Sequence, residues 1–95
     1  MDADHLVKVF AAVGDPTRLA LLRFVLDKER CVSQCTQHTG LSQGAVSKQL
    51  ANLAEAGLVS RRRASRRTYY RVSHPDLFGR MLADAGALVA DPGLA

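Results

Sequence analysis

Apolar side chains fall at helical spacing over most of the chain. Leu6, Val9, Phe10 and Val13 mark a first helix over 3–13, with Gly14 as its stop. Asp15 can cap a second helix whose first position is Pro16, where a missing N–H costs nothing. That helix is expected to run to about Lys28 with Leu19, Leu22 and Leu26 inward. Cys31-Val32 leads into a short third helix, about 33–39, broken by Gly40-Leu41. Ser42 caps a fourth that ends near Ala56, with Gly57 at the position after its end. There Val46, Leu50 and Leu53 recur at i, i+4 and i+7 and must face the core.

Past Gly57 the period changes. Leu58-Val59 opens a strand, Ala64-Ser65-Arg66-Arg67 is the expected hairpin tip, and Thr68–Val72 alternates as the return strand. Pro75 starts a last helix over about 75–90, ended by Asp91-Pro92-Gly93. Its stripe of Leu77, Phe78, Met81, Leu82, Ala85, Leu88 and Val89 is broader than a core of this size needs. No repeat, low-complexity tract or linker divides the sequence, so residues 1–95 read as a single, mainly α domain with a small β-hairpin.

Ninety-five residues leave no room for a large catalytic scaffold, and a domain this small gains by pairing with a partner. No apolar run approaches 18 residues, so no membrane partner is expected. The polar, acidic start, Met1-Asp2-Ala3-Asp4-His5, is unlike a secretion signal, and the expected location is the cytoplasm. Two cysteines make no disulfide framework. The charge is strongly uneven. Residues 59–72 hold Arg61, Arg62, Arg63, Arg66, Arg67 and Arg71 without one acid, while the other 81 residues hold seven basic and nine acidic groups. Such asymmetry is the footprint of a polyanion partner.

The order of elements sharpens that reading. Two helices joined across Thr39-Gly40-Leu41-Ser42 make a helix-turn-helix, and the basic hairpin behind its second helix is a wing. The exposed side of the second, reading helix is small and polar, with Gly44, Ser47, Lys48 and Ala51, and Gln43 at its leading edge. That chemistry suits close approach to a groove. Wing residues Arg61, Arg62, Arg63, Arg66 and Arg67 are then expected to give affinity, while Ser42, Gln43, Gly44, Ser47, Lys48 and Gln49 sit where sequence is read. Other classes fit less well. None of the three histidines, at 5, 38 and 74, pairs with a nucleophile, and no glycine loop cradles phosphate, so neither catalysis nor a small-molecule substrate is expected. An RNA-binding winged helix is the nearest alternative. A thiol metal-carrier would leave the basic hairpin unexplained.

Three motifs carry a family resemblance: Gly14-Asp15-Pro16-Thr17-Arg18; Gly40-Leu41-Ser42-Gln43 with Val46-Ser47-Lys48-Gln49-Leu50 and Ala56-Gly57-Leu58-Val59; and Tyr69-Tyr70-Arg71-Val72. Over residues 6–78 the chain resembles the bacterial arsenic- and metal-sensing repressors (ArsR/SmtB). The resemblance implies a homodimer through the first and last helices, bound to a double-stranded inverted-repeat operator, which would account for the surplus stripe after Pro75. At the wing tip, where the family often has glycine, this chain has Ala64-Ser65.

The family's effector sites are only partly matched. Of its three third-helix thiols only Cys31 is present; Ser33 and Thr36 replace the others, and Cys35 stands where a core leucine is usual. The last helix has no histidine for a zinc-type site, and the thiol pair of the sulfide-sensing members is missing. What remains is Cys31, Cys35 and His38, whose spacings can share a helix face and suit a thiophilic metal ion, with His5 of a partner as a fourth ligand. Thiol oxidation and the absence of any thiol-based effector are the alternatives.

Overall fold

The computed structural model describes residues 3–90; the expected stop at Asp91-Pro92-Gly93 lies outside them. In chain order the elements are α1 (Ala3–Val13), α2 (Pro16–Phe24), β1 (Arg30–Cys31), α3 (Val32–Thr39), α4 (Gln43–Glu55), β2 (Val59–Ala64), β3 (Arg67–Val72) and α5 (Pro75–Ala90). This is a winged helix-turn-helix: α3 and α4 form the pair, and β2–β3 the wing.

α2 begins as expected. The Asp15 carboxylate accepts from the Arg18 backbone N–H at 3.0 Å, with Pro16 in the first turn. It ends at Phe24, however, a full turn before Lys28. The Arg30 guanidinium donates to the Phe24 carbonyl at 3.2 Å, and the Val25 carbonyl accepts from the Val72 N–H at 3.1 Å. Those bonds draw the chain off toward the sheet. The inward face of α2 is consequently Leu21, Leu22 and Val25, all fully buried, while Leu19 and Leu26 are only half-buried.

The sheet holds a strand the hydrophobic pattern did not show. β1 pairs antiparallel with β3 through Arg30↔Tyr70 and Cys31↔Tyr69, giving the order β1-β3-β2. β2 and β3 run in register from Val59↔Val72 to Ala64↔Arg67. The strand root packs under α4, and the core gathers the α2 residues with Cys35, Val46, Leu50, Leu53, Val59, Tyr70, Val72 and Phe78. Each large apolar side chain so buried contributes roughly 1.5–3 kcal/mol.

Gly40 ends α3 in the left-handed region, at φ 74°, where a side chain would be strained, and so turns the chain sharply into α4. Gly14 is not left-handed. Its role is proximity: a Cβ there would lie 2.9 Å from the Phe10 carbonyl oxygen.

Candidate nucleic-acid interface

Ser42 caps the reading helix, its hydroxyl accepting from the Ala45 N–H at 3.1 Å. Val46, Leu50 and Leu53 are fully buried, which forces the opposite face outward. Gln43, Gly44 and Lys48 are exposed there, and Ser47 is half-buried at the edge nearest the wing. Nothing lies within 4 Å of a Cβ built on Gly44, so the fold itself does not require a glycine at that point. Gln49 belongs elsewhere. It is half-buried, and its Oε1 accepts from Arg18 Nη1 at 3.4 Å, on the side of α4 that meets α2.

The wing arginines divide into groups. Strand alternation puts Arg61 and Arg63 on the same face as buried Val59, opposite Tyr70 and Thr68. Arg61 borders a groove with Ala51 and Glu55 of α4. Arg62, on the other face, is held. Its Nε and Nη2 donate to the two carboxylate oxygens of Glu29, at 3.0 and 2.6 Å, and its guanidinium lies 5.1 Å from the centre of the Tyr69 ring. That hydrogen bond, more than the charge itself, keeps the Glu29 carboxyl below the usual carboxylate range. Arg62 is among the expected nucleic-acid contacts; in this fold its Nε and Nη2 are engaged by Glu29, while the side chain stays exposed.

The tip resolves the missing glycine. Ser65 and Arg66 form a two-residue turn, both left-handed at φ 49° and 69°, as a tight hairpin between twisted strands requires. Left-handed backbone costs an ordinary residue about 1–2 kcal/mol, and here it projects Arg66 beyond the strand ends.

Between wing and reading helix lies a cleft of about 440 Å³, bordered by Gln43 and Ser47 of α4, by Arg63, Arg66 and Arg67 of the wing, and by Cys31 at the start of α3. Three guanidiniums and no acid line it. It is open, positively charged, and rich in donors suited to phosphate. Parity with Val59 was the available sequence signal for Arg63; nothing local marked Cys31 as a neighbour.

Cys31 and Cys35 are both buried free thiols, but their environments differ. Burial opposes ionisation at Cys31, yet hydrogen bonding from the Ser33 hydroxyl and from the Gln34 and Ser33 backbone N–H groups, with the charge of Arg67, holds the thiol below its usual value. Burial, with the neighbouring Cys31 adding to it, pushes the Cys35 thiol up to about 11. His38 does not join them. It is exposed, with its ring stacked on Phe24 at 4.0 Å, and the Arg30 guanidinium lies 4.2 Å from the centre of the same Phe24 ring. Among the described residues no three His, Cys, Asp or Glu side chains are gathered closely enough to hold a metal ion. The expected Cys31–Cys35–His38 set is therefore not assembled within one chain. His5 is exposed on α1, beside a groove shared with Lys8 and Glu55.

A second surface is apolar. α1 buries none of its residues, and Leu6, Val7 and Phe10 are exposed, as are Leu77, Leu88 and Val89 of α5; Val89 is 88% exposed. Apolar area on this scale marks an interaction face. No described helix is long and apolar enough to cross a membrane.

The family model for bacterial regulatory proteins of the arsR family matches residues 15–61. A probable mercury resistance operon repressor from Streptomyces lividans is 43% identical over 72 residues, which are 76% of this chain and 58% of that protein. The chain spans little more than half the length of the curated relatives it matches. Among solved structures, NolR from Sinorhizobium fredii superimposes with a TM-score of 0.80 at 30% identity, covering 92% of this chain and 86% of NolR. The homodimeric winged helix-turn-helix DNA-binding domain of Mb0332 from Mycobacterium bovis gives 0.81 at 29% identity, covering 90% of this chain and 82% of that domain. With three motifs in order, the same fold and these relatives, the chain belongs to the ArsR/SmtB family of bacterial regulatory proteins.

Proposed function

We propose that the chain is a transcriptional repressor that binds a double-stranded, inverted-repeat operator as a homodimer in the cytoplasm. The observation that carries this is the arginine-lined cleft between α4 and the wing. A backbone phosphate seated there leaves Gln43, Gly44, Ser47 and Lys48 facing base edges. The exposed apolar faces of α1 and α5 supply the dimer contact, in line with the homodimeric M. bovis domain. Two-fold symmetry then presents two reading helices to two half-sites about one helical turn apart.

The name of the S. lividans relative points to a thiophilic effector. Among the described residues two thiols without a third ligand do not make a three- or four-donor centre within one chain. The effector-responsive thiol is Cys31, which is held toward thiolate and borders the cleft. Cys31→Ser should bind DNA as wild type does and ignore thiophilic ions and oxidants. A variant still released by either would move the effector site elsewhere.

The test of the whole reading is selection from random duplex DNA, then titration of the selected duplex against structured RNA competitor. Expected are an inverted repeat, two protomers per duplex and little competition. Equal affinity for RNA would favour the RNA-binding alternative.

A further inference from the structure

α1 and α4 both pack on α2 but touch each other directly very little. α1 buries no residue, and a groove of about 500 Å³, bordered by His5, Lys8, Asn52 and Glu55, separates it from the second half of α4. Arg18 bridges the two helices where they converge. Its Nε donates to the Ala12 carbonyl at 2.8 Å and Nη2 to the Ala11 carbonyl at 3.1 Å, while Nη1 reaches Gln49 Oε1 at 3.4 Å. One planar guanidinium thus holds two carbonyls at the end of α1 and one side chain of the reading helix. Its donors leave the carbon skeleton at fixed angles, which a flexible ammonium cannot reproduce.

We propose that Arg18 is a positioning residue that sets the angle between α1 and α4, and through it the separation of the two reading helices and the half-site spacing the dimer accepts. This rests on the homodimeric DNA-binding reading above. α1 carries part of the apolar dimer face, so its axis is tied to the partner, and the axis of α4 is tied to the groove. A few degrees of rotation at their junction, doubled by the two-fold, would shift one reading helix against the other by ångströms. Gln49 acts as the receiving end of this pin, which explains its half-buried place on the side of α4 away from the cleft.

Two readouts test the proposal, one of them free of DNA. Lys48→Cys in a Cys31→Ser background presents one exposed thiol for a spin label, because the remaining Cys35 is buried and its thiol is pushed up to about 11. Distances between labels in the dimer should form one narrow distribution in wild type and a broad one in Arg18→Met and Arg18→Lys. Gln49→Met, which leaves both carbonyl bonds intact, should broaden it less. All variants should stay dimeric by sedimentation and melt cooperatively. On the duplex that wild type selects, and on versions with spacing changed by one base pair, Arg18→Met should lose about tenfold in preference for the original spacing, with affinity for random duplex unchanged. A narrow distribution in both folded Arg18→Met and Gln49→Met, or full rescue by lysine, would overturn the proposal. Broadened distances in a protein that binds no duplex would keep the positioning role and sink the operator reading instead.

Discussion

At residue scale the most informative position is Arg66. Its left-handed backbone costs the fold about 1–2 kcal/mol that glycine would not incur, and the side chain so placed borders the arginine-lined cleft. Arg66→Gly should therefore raise thermal stability by about 1 kcal/mol while weakening duplex binding, measured by melting and by titration of one preparation. Loss of both would mean the turn is not strained; unchanged binding would remove Arg66 from the interface. The two thiols give a second test. Cys31 should be alkylated faster than Cys35 at neutral pH, its rate levelling off below the usual thiol pKa, whereas Cys35 should gain reactivity only toward pH 11 or on unfolding. Bound duplex should slow the Cys31 reaction. Mass-spectrometric rates across pH check all three statements.

At element scale, the helices and the hairpin were legible because periods of 3.6 and 2 and the capping residues Asp15, Ser42 and Gly40 act locally. What stayed hidden is non-local. β1 is two residues long and exists only through its pairing with β3. The early end of α2 depends on Arg30 and on a bond from Val72, 47 positions beyond Val25. Arg62 read as one more basic wing residue, yet its partner Glu29 lies 33 positions away. The same limit separates the candidate sites: Ser47 and Lys48 follow from one helix face, while no local pattern gathers Cys31, Ser47 and Arg63 around one cleft. The Glu29–Arg62 clamp braces β2 against the start of β1. Because Glu29 is held below the ordinary carboxylate range, the clamp is complete at neutral pH and above the unfolded-chain pKa. It is lost as pH falls through the lowered folded value. Arg62→Ala should loosen the wing, seen as faster amide exchange in β2 and β3, without changing the salt dependence of DNA binding. A flatter salt dependence would show that Arg62 leaves Glu29 to meet phosphate.

At the scale of the whole molecule, two surfaces of opposite character remain after the core is built. The apolar one, on α1 and α5, calls for a second copy; sedimentation at micromolar concentration should give about twice 10.3 kDa. Phe10→Glu, at an exposed site with no core contact to lose, should return it to a folded monomer with much weaker operator binding. A variant that stays dimeric would place the contact elsewhere.

The charged surface is tested most directly by the salt dependence of duplex binding. Arg63, Arg66 and Arg67 line the cleft; with each engaging one phosphate, a dimer neutralises about six, and the logarithm of affinity should fall with that of salt at a slope near −5. Arg66→Ala with Arg67→Ala should bring the slope to roughly −2 and weaken all duplexes alike. A slope near zero in wild type, or one unmoved by the double substitution, would contradict the assignment of this cleft to the DNA backbone.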